Sequence, residues 1–555
     1  MKEELEKQIA VTCKELFGQD IEVELTRPEE QFGDYSTNVA LRLSAKIQKP
    51  SAEVAEALVL KLKENLSKEV KEVSMAGPGF LNLKLDDQYL VNSITLETPK
   101  FLLNQEVIVE FGDANPFKEM HIGHLYTSIV GDAIARLFEA SGADVKRVSY
   151  HGDIGMHIAK ALWSIRKHLK ADSSQTIEDF FNSDTSMGIY YAEGAKAYEE
   201  DETVKEEIRQ INSSIYAQDN QNINDIYNAG KELSFKNFDV IFNDLGISFD
   251  KRYLESESST VGLKIVKDNT PKVFTESDGA VVFKGEKVGL HTRVFINSQG
   301  LPTYEAKDLG LTQLKDKDYP NASKSVIITD HQQADYFKVM LAALKEINSN
   351  LASKTVHLAH GHLGLTTGKM SSRSGNVFSA STLIEDVLTT INSQYKDSEV
   401  KHEVFIAALK YSLLRSRLGS DVIFDVKESV ALEGNSGPYL QYAHARAKSI
   451  ISKVGEKEIP DKIELGDQVF EPSERSLARK LSEYGETLDK TINELMPHHL
   501  CTYLYELAQS FNRFYEISKV MGDPRQSLRL SLVHKYAKTL EKGLNLLGIP
   551  APDKM

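Results

Sequence analysis

Hydrophobic spacing changes character three times along the chain. In residues 1–86, Leu5, Ile9, Cys13 and Phe17 recur every four positions, which predicts an amphipathic helix. Ile21, Val23 and Leu25 then alternate as a strand, and Ser51 to Leu66 has the start signal and composition of a second helix. Gly77-Pro78-Gly79 turns the chain into Phe80-Leu81-Asn82-Leu83-Lys84-Leu85, a strand with its leucines on one side and Phe80, Asn82 and Lys84 on the other. This first segment reads as a small α+β domain.

From about 105 to 380, short apolar runs alternate with helical stretches, the pattern of a parallel α/β sheet. Val107–Phe111, Val145–Tyr150, Val326–Thr329 and Thr355–Leu358 are the expected strands, and Ile129, Ala133 and Leu137 mark a helix after the first. Residues 171–235 are polar and helical, with no legible chemistry, and read as an insertion. Hairpin-like turns are expected at Asp278-Gly279 and Gln299-Gly300. Beyond 400 the pattern is wholly helical. Leucine and aromatic stripes such as Leu477-Leu481-Tyr484-Leu488-Ile492 and Leu532-Tyr536-Leu540-Leu544 predict a bundle over 401–555.

At 555 residues the chain is too long for one core, and its 41% apolar and 26% charged residues exclude general disorder. No uncharged apolar run approaches the roughly 18 residues a membrane helix requires. The acidic start Met1-Lys2-Glu3-Glu4-Leu5-Glu6 reads as helix, not as an export signal. Cys13 and Cys501 form neither a disulfide framework nor a thiolate zinc site, so reducing cytosol is the expected compartment. A net charge of −15 argues against nucleic-acid binding over the whole surface but leaves room for a local basic groove.

The sharpest chemical feature is Asn115-Pro116-Phe117-Lys118-Glu119-Met120-His121-Ile122-Gly123-His124, set between a buried strand and a helix. Open parallel sheets bind ligands at that carboxyl edge, and a helix start offers free N–H groups to phosphate. Gly123 allows close backbone approach, while His121 and His124 share a face from which both can donate. Alone, two histidines near a helix start are more often capping or core residues; the strand–loop–helix setting shifts the reading towards a nucleotide site. A second segment, Thr366-Thr367-Gly368-Lys369-Met370-Ser371-Ser372-Arg373-Ser374-Gly375-Asn376, adds cations on a glycine- and serine-rich loop, suited to a charged phosphate transition state.

Together these segments resemble the HIGH and KMSKS signatures of class I aminoacyl-tRNA synthetases. The flanks are similar to those of the arginyl-tRNA synthetases: Glu110-Phe111, His151-Gly152-Asp153-Ile154-Gly155, Pro302 to Asp308, Asp330-His331-Gln332-Gln333 and Gly434 to Tyr442. The resemblance spans the whole chain and implies a Rossmann-type catalytic core over about 100–400. An N-terminal domain that reads the tRNA D-loop and a C-terminal helical domain that reads the anticodon would flank it. It implies activation of arginine with ATP and Mg²⁺ and transfer to tRNA(Arg); with two distant cysteines no structural zinc is expected, and the chain is expected to act as a monomer.

By the same resemblance, Glu110, Tyr304 and Asp308 line the side-chain pocket, and Asn115 and Gln332 hold the α-amino and carboxylate end. His121, Gly123, His124, Lys369, Met370 and Ser371 hold ATP. Catalysis then rests on Lys118, His121, His124 and Lys369, which offset phosphate charge, since an ionised carboxylate needs no protein base. Asp153 and Asp330, at strand ends, are further candidates for substrate or ribose contact. One departure stands out: the signature's fourth position is lysine, and here it is Ser372, so Lys118 is expected to supply the missing charge.

For tRNA, the resemblance puts Phe80 and Asn82 on an unpaired base, although the pattern alone favours a half-buried strand with one exposed aromatic. Tyr439, Tyr442 and Arg446 share a helical face fit for stacking or, equally, for packing between helices, and Lys410, Arg415 and Arg417 are expected to add local positive charge. A cysteine enzyme of this class would want zinc thiolates, and the glutamate and glutamine enzymes would want pocket cations. A non-catalytic paralogue predicts loss of His121, His124 or Lys369, all of which are present.

Overall fold

The computed structural model describes residues 2–171, 175–182, 187–366, 378–396, 398–460 and 462–555. At the N-terminus, Tyr35–Thr37, Phe80–Leu85 and Val70–Ala76 form an antiparallel sheet with Phe80–Leu85 in the centre. Leu81, Leu83 and Leu85 are fully buried beneath helices Lys2–Phe17, Val39–Ile47 and Ser51–Asn65, as the period-two pattern requires. Ile21–Leu25 does not become a strand. Val23 and Leu25 are buried, but the Leu25 N–H donates to Glu6 Oε1 (2.8 Å) and the run makes one bridge, Thr26 to Ser36. A side chain has taken the hydrogen bond that a ladder would have supplied.

Five parallel strands form the central sheet: β1 (Glu106–Glu110), β2 (Asp144–His151), β3 (Lys251–Leu254), β4 (Ala322–Asp330) and β5 (Thr355–His360). Their spatial order is β5-β4-β1-β2-β3, so the direction of winding reverses between β1 and β4. The carboxyl ends of these two strands diverge there and leave a crevice. Helix Ile122–Ala140 leaves β1 from this crevice with nearly every residue buried. The Asp278-Gly279 turn joins Thr275–Ser277 to Ala280–Phe283 with both turn residues at positive φ, as a tight hairpin demands. At Gln299-Gly300 the return limb is a single bridge, Ile296 to Pro302, because proline has no N–H to extend it.

The insertion is a helical unit. Ile177–Asn182, Met187–Glu200, Glu202–Ala217 and Gln221–Asp244 pack on Met156–Ala171 around Phe180, Ile208, Ile211 and Ile226. Phe117, from the loop after β1, belongs to that core and sits at φ 62°. Beyond Lys401 the chain is almost entirely helical, and its stripes bury Leu477, Leu488, Leu532, Tyr536 and Leu540 completely.

Charged groups join the outlying domains. Arg475 of helix Pro472–Ser482 binds Asp34 (2.7 Å) and Asp87 (3.0 Å), and Arg27 binds Glu486 (2.7 Å). Asp34 is fully buried, so its pair with Arg475 holds much of its strength against salt. Among the described residues no helix is long and apolar enough to cross a membrane.

Candidate active site at the β1–β4 crevice

A cavity of about 350 Å³ opens at this switch point, lined among others by Asp113, His121, Gly123, His124, Asp330, Gln332 and Gln333. His121 caps helix Ile122–Ala140, and the two histidines form a reciprocal box. His124 N–H donates to His121 Nδ1 (3.3 Å) and His121 N–H to His124 Nδ1 (3.4 Å). Accepting at Nδ1 puts each imidazole proton on Nε2, which makes both outer nitrogens donors. The rings stack 3.5 Å apart, and a Cβ on residue 123 would stand 2.9 Å from the His121 ring, so only glycine fits. Burial holds His121 down to about 4 and His124 well below the usual histidine range, with Lys118 adding to both depressions. Both rings are therefore neutral at pH 7.

Positive charge beside them comes from Lys118. Its ammonium lies 4.7 Å from the centre of the Tyr191 ring, a residue of the insertion. Burial, and then Lys160, lower its pKa. Lys369, Met370 and Ser371, with Ser372 and Arg373, lie outside the described residues. The flanking backbone does reach this site: Ile122 N–H donates to Phe378 O (3.1 Å) and Ala380 N–H to Met120 O (2.7 Å).

Asp113 is the link from this cavity to a group of carboxylates that do not themselves line it, Glu110 and Asp308. Asp308, on helix Tyr304–Asp318, is 6% exposed and accepts from the Tyr336 hydroxyl at 2.7 Å. Burial pushes it up to about 8; the Tyr336 hydrogen bond and Lys315 oppose that rise, while Glu110 and Glu255 add to it. Glu110 is bonded to the buried Lys315 ammonium, so part of its charge is already matched. Asp113 accepts Tyr150 N–H (3.2 Å) and is held well above the usual carboxylate range by burial and then by Glu110. Asn115 Oδ1 accepts Gly152 N–H (2.8 Å), which ties the loop after β1 to the end of β2. Gln332 lies exposed on the rim, its N–H capped by Asp330 (2.8 Å). Tyr304 does not line the cavity; it is 66% exposed, with the Lys307 ammonium 5.3 Å from its ring centre.

Two expectations are corrected. Asp153 is fully buried and accepts from Ser256 N–H (2.9 Å), Ser256 Oγ (2.8 Å) and Tyr227 Oη (2.7 Å), so it faces protein rather than an open substrate site and anchors the insertion. Lys410 offers no surface charge. It is wholly buried against Asp132 (2.7 Å), a pairing across 278 positions that helix periodicity cannot reveal. Sequence reasoning also passed over Asp113, Lys315 and Tyr336; only their convergence on Glu110 and Asp308 marks them.

Of the nucleic-acid candidates, Phe80 is 43% exposed, whereas Asn82 is only 6% exposed, since its strand is central and flanked on both sides. Tyr442 is 46% exposed and lines a groove of about 720 Å³ with Arg446, Lys448, Lys453, Tyr515 and Lys554. Tyr439 is turned inward, its hydroxyl bonded to Asn512 Nδ2 (2.9 Å), and Arg446 covers the Tyr515 ring at 4.3 Å. Arg415 is spent on Asn435 O (2.5 Å) and Glu428 (2.7 Å), and Arg417 is exposed.

Three family models match the chain: an arginyl tRNA synthetase N terminal domain over residues 3–85, the class I (R) tRNA synthetase catalytic domain over 87–426, and a DALR anticodon binding domain over 440–555. The arginine–tRNA ligase of Synechocystis sp. is 30% identical over 95% of this chain and 94% of its own. That of Borrelia garinii subsp. bavariensis is 28% identical over the same shares. The solved structure of Thermus thermophilus arginyl-tRNA synthetase superposes with a TM-score of 0.81 at 27% identity, covering 100% of both chains.

Proposed function

The chain belongs to the arginyl-tRNA synthetases, class I enzymes that ligate arginine to tRNA, and from that premise we propose how its residues divide the work. MgATP lies with its phosphates at the start of helix Ile122–Ala140, where His121 and His124 donate from Nε2 and Lys118 supplies charge. Lys369, with Met370 and Ser371, adds the second cation from the loop beyond Thr366. Arginine lies across the crevice. Its guanidinium meets Asp308 over a floor formed by Glu110, and its α-amino and carboxylate end meets Gln332 and the Asn115 amide, whose Oδ1 is already occupied. Tyr304 covers the mouth.

The arginine carboxylate attacks the α-phosphorus in line and pyrophosphate leaves. The terminal tRNA ribose then attacks the carbonyl and AMP leaves. Positioning and charge supply the catalysis; two neutral imidazoles donate without carrying a proton away. The observation that carries the substrate reading is Asp308, a buried carboxylate that no cation bonds directly among the described residues. Ionising a carboxyl in that setting is costly enough to hold it up to about 8, and a bound guanidinium offsets that cost.

ATP–pyrophosphate exchange, run with each amino acid with and without tRNA, tests this reading. Arginine alone should support exchange; exchange with lysine, or with none of the amino acids, would overturn it.

For the tRNA we propose Phe80, with Asn82 as its backing, on the D-loop, and Tyr442 as the exposed stacking residue of the anticodon groove, with Tyr439 and Arg446 shaping its wall. Tyr442→Ala should raise the KM for tRNA by about tenfold, the worth of one base–aromatic stack, while the KM for arginine holds. An unchanged tRNA KM would remove Tyr442 from that role. We further propose that the chain works as a monomer in reducing cytosol, in keeping with two cysteines that are free and buried.

A further inference from the structure

We infer that Tyr336 is a positioning residue for substrate discrimination: its phenol holds one oxygen of Asp308 and so leaves the other, as an anion, for the guanidinium. This rests on the reading of Asp308 as guanidinium acceptor. The geometry is direct. Tyr336 Oη donates to Asp308 Oδ2 at 2.7 Å and lies 3.3 Å from Gln333 Oε1. A phenol has one proton, and the carboxylate is the nearer and stronger acceptor. The ring is fixed as well, stacked on Phe337 (4.5 Å), which in turn stacks on His357 (4.0 Å).

Every other group facing Asp308 is spent or of the wrong sign. Glu110 comes from β1 and Asp113 from the loop after it, Tyr150 from β2, and Glu255 from helix Glu255–Asp268. Lys315, on the same helix as Asp308, is bonded to Glu110, and Lys307 is bonded to Glu255 at 2.8 Å. Burial lifts the Asp308 carboxyl to about 8, and the Tyr336 hydrogen bond is the largest influence opposing that rise. Without the phenol the carboxyl would keep its proton further into the alkaline range.

Protonation changes what the pocket reads. An ionised Asp308 accepts twice and fits a guanidinium; a protonated one donates as well as accepts and fits a neutral urea. The Tyr336 hydroxyl therefore sets the preference for arginine over its uncharged isostere citrulline.

Pyrophosphate exchange by the full chain in the presence of tRNA, from pH 6.5 to 9.5, reads this out. For the wild type, the arginine KM should fall as pH rises through about 8. In Tyr336→Phe that limb should move up by about one pH unit, with the KM at pH 7 raised about tenfold. KM should carry the loss rather than kcat. The inhibition constant of citrulline should move less than about twofold, which narrows the ratio between the two ligands about tenfold. A merely structural role would weaken both ligands alike and leave the limb in place.

Asp308→Asn separates the two layers. If it raises the arginine KM while Tyr336→Phe leaves both limb and ratio unmoved, Tyr336 is packing and the inference falls. If Asp308→Asn itself leaves the KM unchanged, the reading of Asp308 falls first and takes the inference with it. Should Tyr336→Phe fold poorly, the wild type remains a test: flat pH profiles for both arginine and citrulline would overturn the proposal.

Discussion

Replacing Lys118 by alanine is expected to slow arginine-dependent pyrophosphate exchange by about 10²–10³-fold, the usual cost of removing one preorganised charge from a phosphoryl transition state. The expectation follows from the protonation of the site. His121 and His124 are both held neutral, so they contribute dipoles, and positive charge beside them comes from the Lys118 ammonium. That ammonium is partly desolvated and kept in place by the Tyr191 ring, so little reorganisation is needed when charge develops. With Ser372 in the loop where the family signature carries lysine, no second ammonium from that position shares the load. Arginine binding, measured by equilibrium dialysis with tRNA present, should change less than about threefold, because no arginine contact is lost. If exchange stays within a few-fold of wild type, Lys118 is an ordinary side chain and the compensation idea fails.

Asp308→Asn should act on the opposite partner. The arginine KM is expected to rise by about 30–1,000-fold, equivalent to roughly 2–4 kcal/mol for the loss of a charge-assisted contact in a dry pocket. The pH dependence supplies an independent check. A guanidinium needs the ionised carboxylate, and burial raises the carboxyl to about 8 in the free pocket. Affinity for arginine should therefore improve as pH rises through that value and weaken below it. The asparagine variant should lose this limb, since the carboxyl that meets the guanidinium is gone. Unchanged arginine dependence would take Asp308 out of the pocket.

What was legible in the sequence, and what was not, follows the range of the interactions. The strand–loop–helix around His121 could be read because each signal is local: an apolar run, a proline, two polar donors and a helical stripe within about thirty residues. The switch point depends on strand order, which sequence pattern alone does not give, yet it decides that β4 and its Asp330–Gln333 corner lie opposite the histidines. Lys410 misled because a lysine on a helix is normally solvated; its partner Asp132 belongs to another helix in the catalytic core. Asn82 misled for a related reason. Alternation tells which side chains share a face but not whether that face is covered. Asp153 was placed at the right strand end with the wrong duty, since the tyrosine that claims it lies in an insertion with no legible chemistry. Tyr336 carries no motif; its interest comes only from the carboxylate beside it.

Arg475, gripping Asp34 and Asp87 together, makes the first domain and the helical one behave like two jaws of a caliper cut from a single piece. A molecule long enough to touch both jaws is measured as well as bound. The correct span engages both contacts for one loss of translational freedom, whereas a wrong span must surrender one of them.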